Sequence, residues 1–122
     1  AIWCYNLFEI SPSIDSLVTK FYRETVGPYW DSERHLVETG YRTLPFPFAE
    51  LETPLFQMQA SWSLNHLLGY LRTWSATKKF IETNGSDPVT SLANELAKFW
   101  GDSATVRKIN WPLNVRVGTV PY

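Results

Sequence analysis

The sequence is short of several things, and each shortage excludes something. It has one cysteine in 122 residues, so it can form no internal disulfide and suits a reducing compartment. That cysteine, Cys4, lies in an apolar run and reads as a small buried hydrophobe. Charged residues make up only 19%, with 11 basic against 12 acidic side chains and a net charge of −1. There is no basic stripe, so no nucleic-acid partner is expected. No apolar run approaches the roughly 18 residues of a membrane span, so no membrane partner is expected either. The opening AIWCYNLF has neither the basic region nor the small-residue cleavage site of a secretory leader. Together these point to a cytoplasmic location. Nucleophile elbow, P-loop, Gly-rich dinucleotide loop and metal-ligand cluster are all missing.

What the sequence does have is apolar and aromatic mass. Hydrophobic residues are 44%, aromatics 16%, and six are Trp. That is enough for one small domain, residues 1–122, with a real core. The organising stretch is Phe56–Ser75. Phe56, Met58 and Ala60 alternate with Gln57, Gln59 and Ser61, the period of a half-buried strand. Leu64, Leu67, Leu68, Leu71 and Trp74 then recur at helical spacing, with Ser61 or Ser63 as N-cap. A strand feeding an amphipathic helix is half of an α/β unit.

Taken in order, Ala1–Tyr5 reads as a fully buried strand of the kind found inside a parallel sheet. Ser11-Pro12 opens a helix whose apolar face is Ile14, Leu17, Val18, Phe21 and Tyr22, and Gly27-Pro28 stops it. Asp31 caps a shorter helix, Ser32–Thr39, ended by Gly40. Tyr41–Pro54 has three prolines and no period, and reads as an irregular loop over the surface or over a pocket. Beyond Ser75, Ala76–Thr83 continues as helix to an Asn84-Gly85 stop. Ser86-Asp87-Pro88 starts another helix, with Val89, Leu92, Leu96, Phe99 and Trp100 on one face. Ile109, Trp111, Leu113, Val115 and Val117 alternate with polar residues as one strand or two, and Pro112 marks a sheet edge or a bulge. Three strands make a poor sheet. A central-type strand at Ala1–Tyr5 leaves a bare edge, so the chain is expected to be part of something larger or to pair with another copy.

Few residues stand out for chemistry. His35 and His66 are isolated in sequence, and a satisfied structural histidine competes with a general base at each. Asp31, Glu33 and Glu38 read as a solvated helix face. Arg72 is either an anion binder or a helix-end cation paired with a surface acid. The aromatic segments Tyr29-Trp30 and Tyr41–Phe48 are either core packing or the wall of a pocket. Arg42 lies in a segment that reads as apolar, so it is expected to need an anionic ligand or a structural pair with Glu50 or Glu52.

Three segments, FYRETVGPYWDSERHLVETGYRTLPFPF, LLGYLRTWSA and NWPLNVRVGTV, resemble the C-terminal half of a class I S-adenosylmethionine-dependent methyltransferase. The nearest group is the one that includes trans-aconitate methyltransferase-like small-molecule enzymes. The resemblance covers nearly the whole chain. It implies an α/β fold: the last three strands of a Rossmann-like seven-stranded sheet, the final one antiparallel, with covering helices. Ala1–Asn6, Phe56–Ser61 and Ile109–Val117 would be strands five, six and seven. The implied activity is methyl transfer to a small-molecule substrate, with S-adenosylmethionine as cofactor in the complete enzyme. The family's Gly-rich loop and ribose-holding acid have no counterpart here, so no cofactor-binding residue carries over. The implied role is the substrate side, inactive alone, and the competing reading is a non-catalytic interaction module built on the same fold. Substrate-wall candidates are Tyr29, Trp30, Tyr41, Arg42 and Trp74. A homo-oligomer or an exchanged segment would cover the open edge of Ala1–Tyr5.

Overall fold

The computed structural model describes residues 1–120. Its axis is one long strand near the C-terminus, β4 (Arg107–Thr119), to which every other strand pairs antiparallel. On one side lies β1 (Ile2–Tyr5), in register from Ile2↔Arg116 to Tyr5↔Leu113. On the other lies β3 (Phe56–Trp62), from Phe56↔Leu113 to Trp62↔Arg107. So β4 is antiparallel to its neighbours, as the resemblance implies, and it lies between β1 and β3, which run parallel to each other.

The loop expected over Tyr41–Pro54 contains a short strand instead, β2 (Ala49–Leu51), paired with Val117–Thr119. It continues the line of β3 with a slip of one residue. Four residues, 52–55, stand against the three at 114–116, so the chain bulges there around Pro54. Pro112, expected at an edge or bulge, lies at a bulge: between the pairs Tyr5↔Leu113 and Glu9↔Asn110, three residues, 6–8, stand against two, 111 and 112. It sits in the middle strand opposite Gln57, one residue beyond the last β1 pair. β1 therefore ends where the proline would interrupt its ladder.

The helices follow their start and stop signals. In α1 (Pro12–Lys20), Pro12 occupies the first helical position, but the Ser11 side chain caps nothing. Its end is drawn out through a π turn at Phe21–Thr25 and a 3-10 turn at Gly27–Tyr29. The second helix is shorter than expected, α2 (Arg34–Glu38), and Asp31 pairs with Lys79 rather than capping it. In α3 (Leu64–Arg72), the Ser63 hydroxyl accepts from the His66 N–H. The chain then breaks at Thr73-Trp74 and restarts as α4 (Ser75–Asn84), closed by left-handed Gly85. In α5 (Pro88–Trp100), the Asp87 carboxylate accepts from the Val89 N–H.

The core lies between the helices and one face of the sheet. Ile14, Val18 and Phe21 of the first helical segment, Leu64, Leu67 and Leu71 of α3, and Val89, Leu92, Leu96 and Trp100 of α5 close on Ile109 and Trp111 of β4. Phe99 falls off that face and is half exposed. The β1 strand is less covered than its apolar run implied. Cys4 is buried, but Trp3 is 59% and Tyr5 37% exposed. Among the described residues β1 has no strand neighbour beyond β4, so no strand covers its outer edge.

Candidate functional site

A cleft of about 450 Å³ runs along that open edge. Its floor is β1 and Asn6. One wall comes from Trp30, Arg34 and Val37, the other from Tyr70, Thr73 and Trp74 at the end of α3, and Tyr41 closes one end. In α/β sheets the space outside the carboxyl end of a parallel strand is where ligands bind, and Asn6 stands at that end of β1.

The rings hold one another. Trp30 lies 4.9 Å from Tyr22 and 5.5 Å from Trp74, and Trp74 meets Tyr22 edge-on at 5.7 Å. The Trp30 indole N–H donates to the Tyr22 carbonyl at 3.2 Å, which fixes the ring. Arg34 is inserted into this cluster, 4.8 Å above Trp30. Its Nε donates to the Tyr22 hydroxyl at 2.9 Å and its Nη2 to Asn6 Oδ1 at 2.7 Å. Burial pushes the Tyr22 phenol above its ordinary range, against the pull of the Arg34 hydrogen bond and charge, so it stays protonated at neutral pH.

Three of the residues expected at a substrate wall, Trp30, Tyr41 and Trp74, are brought together here. Two are not. Tyr29 turns away to meet the Phe80 ring edge-on at 5.4 Å, its hydroxyl receiving a hydrogen bond from Asn84. Arg42 is exposed and lines a separate polar cleft with Glu50 and Glu52, but forms no ion pair with either. The expectation that it is a desolvated cation is corrected: the loop around it lies open to water. Glu50 is taken instead by Arg116. Arg116 also donates to the Tyr41 and Leu44 carbonyls and lies 4.4 Å over Phe46.

Arg34, Asn6 and Tyr22 are what the sequence reading missed. Trp30 stands in extended backbone before α2 begins at Arg34, so no helical spacing joins the two and the sequence carried no cue for the pair. Arg72 pairs with Asp87. His35 and His66 are exposed; His35 Nδ1 meets the Ser32 carbonyl and His66 stacks on Trp62. His35 shares a surface groove with Asp31 and Glu38 but ion-pairs with neither, and His66 ion-pairs with no acid among the described residues. These hold no cluster of three or more His, Cys, Asp or Glu side chains fit for a metal, and no helix long and apolar enough to cross a membrane.

The residues of the cleft do not fit the binding of S-adenosylmethionine by this chain alone. No Asp or Glu lines it to grip a ribose, and no Gly-rich turn approaches it.

No family model matches the chain. A Dictyostelium discoideum protein named "Putative methyltransferase" is 29% identical over 119 residues, spanning 92% of this chain and 45% of that protein. A solved structure described as a "putative type II methyltransferase" from Anaeromyxobacter dehalogenans superposes with a TM-score of 0.92 at 37% identity. It covers 98% of this chain, which covers 52% of it. The chain thus spans about half the length of the relatives it matches, and in sequence and fold it corresponds to a part of proteins named as methyltransferases.

Proposed function

We propose that this chain forms the substrate side of an S-adenosylmethionine-dependent methyltransferase acting on a small molecule, and is inactive alone. The observation that carries this reading is the aromatic cleft at the carboxyl end of β1, in a fold that superposes on half of a named methyltransferase. The chain's own residues orient and enclose. Trp30, Trp74 and Tyr70 present ring faces and edges that exclude water from a bound group, and Arg34 and Asn6 offer polar contacts at the floor. Such a site accelerates methyl transfer mainly by holding the acceptor in line. The cofactor, when bound to the complete protein, supplies an activated methyl group. The open edge of β1, with Trp3 and Tyr5 exposed beside it, is where further polypeptide would add. In the isolated chain a second copy is expected to add there, which light scattering would detect. We place the protein in the cytoplasm.

The test is calorimetric titration of S-adenosylmethionine and its demethylated product, first into this chain and then into the chain joined to the part of the Anaeromyxobacter protein that it does not cover. The chain alone should bind weakly or not at all, and the joined protein in the micromolar range. Micromolar binding by the chain alone would overturn the division of labour. No binding by a folded joined protein would overturn the methyltransferase reading.

A further inference from the structure

We propose that Arg34 and Asn6 form an oxyanion-binding pair in the cleft, so that the ligand is a flat, largely apolar molecule carrying a carboxylate or phosphate. The charge pattern carries this. Of the cleft-lining residues only Arg34 is charged, and no acid lines the cleft. Three ion pairs form among the described residues, Arg72–Asp87, Lys79–Asp31 and Arg116–Glu50, and Arg34 is in none of them. Glu38, one turn further along α2, lines a neighbouring groove with Arg34 and Asp31 and lies close enough to the Tyr22 hydroxyl to help raise its pKa, but it is exposed and makes no ion pair with Arg34. A half-buried guanidinium in no ion pair, with Asp31 taken by Lys79 and Glu38 out in water, gains from an anion that reaches it in the cleft.

Both residues have donors to spare. Two nitrogens of Arg34 are spent on Tyr22 and Asn6, and Nη1 has no protein partner among the described residues. With Asn6 Oδ1 receiving the Arg34 hydrogen bond, the Asn6 amide nitrogen is left as a donor. Asn6 and Arg34 thus bring spare donors to one floor, both N–H, with ring faces of Trp30 and Trp74 beside them. An oxyanion accepts from both, and a planar body lies against the rings. The stacking on Trp30 and the bond to Tyr22 hold the guanidinium in place, so little rotamer freedom is lost on binding.

The inference rests on the methyltransferase reading only in calling the ligand a substrate, and its test needs no cofactor. Tryptophan fluorescence of the 122-residue chain is titrated with benzoate, phenyl phosphate and the neutral isostere benzamide. Saturation by either anion in the millimolar range is expected, with benzamide at least about tenfold weaker. Arg34→Gln should cost about tenfold or more, Arg34→Lys less, because Lys keeps the charge but loses the fork. Arg42→Gln, outside the cleft, should leave the titration unchanged. Equal binding of benzamide, no saturation by either anion, or full anion binding by Arg34→Gln would each overturn the proposal. Should Arg34→Gln fail to fold, the benzoate–benzamide comparison on the unaltered chain still decides. Anion binding in a chain whose joined form does not bind S-adenosylmethionine would keep this inference and remove the methyltransferase reading alone.

Discussion

The two faces of the sheet are held by different forces. On the face of Ile109 and Trp111, helices α1, α3 and α5 close an apolar core with no charged group inside it. On the face of Asn114, Arg116 and Gly118, the covering segment is the strap 40–51, and much of its hold comes from one arginine. Arg116 reaches Glu50, two carbonyls and the Phe46 ring, while Gly40 and Phe48 press close on Asn114 and Gly118. Burial is non-directional and redundant, so the first face tolerates detail. The second depends on directional contacts, the geometry of Arg116 above all, with the short β2 ladder beside it. It also carries Tyr41, a non-glycine residue at φ 62° after Gly40 at φ 64°. Two consecutive left-handed residues need support, and the Tyr41 carbonyl receives it from Arg116.

The largest expected effect is on the core face. Leu71 is fully buried among the helices, and its truncation to Ala should cost about 2–5 kcal/mol. Small domains hold about 5–15 kcal/mol in all, so the urea midpoint should fall sharply while the strap stays as resistant to protease as before. An unchanged midpoint would mean that the helix packs by another face.

Arg116→Ala tests the other face. Charge-assisted hydrogen bonds are worth about 1.5–3 kcal/mol each to break. The Arg116 side chain is 13% exposed against 40% for Glu50, so solvent discounts one end only, and a loss of about 2–3 kcal/mol is expected. Here the strap itself should become cleavable between residues 41 and 55 before global unfolding. If protease sensitivity rises only in step with global stability, the two faces are one cooperative unit and the contrast fails.

The same contrast explains what could be read in advance. The apolar face is written in local periods: Leu64, Leu67, Leu68 and Leu71 on α3, and Val89, Leu92 and Leu96 on α5, each helix announced by a cap that the structure keeps, Ser63 and Asp87. The strands at Phe56–Trp62 and Arg107–Thr119 were legible from alternation, while the antiparallel direction of the last came only from the family resemblance. The strap was illegible because its anchor lies far away in sequence. Arg116 meets Glu50 across 66 residues and the Tyr41 carbonyl across 75, and β2 is three residues, Ala-Glu-Leu, too short to show a period. The cleft was half legible. Trp30 and Tyr41 were visible in aromatic segments and Trp74 at the end of the α3 helical period, but Arg34 takes its meaning from Asn6, 28 residues earlier. Arg42 drew attention by its neighbours, and pairing decided otherwise.

The smallest effect concerns the other arginine–carboxylate pair, on the apolar side of the molecule. Arg72 and Asp87 are 43% and 30% exposed, so water screens their attraction and the pair should contribute well under 1 kcal/mol. Asp87 also accepts the Val89 N–H as N-cap of α5, a role worth about 1 kcal/mol. Substitution separates the two. Asn keeps a capping oxygen and removes the charge; Ala removes both. Asp87→Ala should therefore cost about 1–1.5 kcal/mol and Asp87→Asn a few tenths. Burial raises the Asp87 carboxyl, but the Arg72 hydrogen bond, the Val89 N–H and the Arg72 charge together bring it below its ordinary value. The folded state thus holds this proton less tightly than the unfolded chain does. Its contribution is whole above the unfolded pKa of about 3.9 and is lost as pH falls through the lower folded value. Asp15 runs the other way, since burial raises it, and its penalty lifts as pH falls. Subtracting the Asp87→Asn stability curve from the wild-type curve cancels Asp15, which both chains share. The difference should be flat from pH 7 to about 5 and shrink below about 4. A difference that grew on acidification would reverse the sign assigned to Asp87. One as large as the Arg116→Ala loss would mean that exposure does not set the weight of these two pairs.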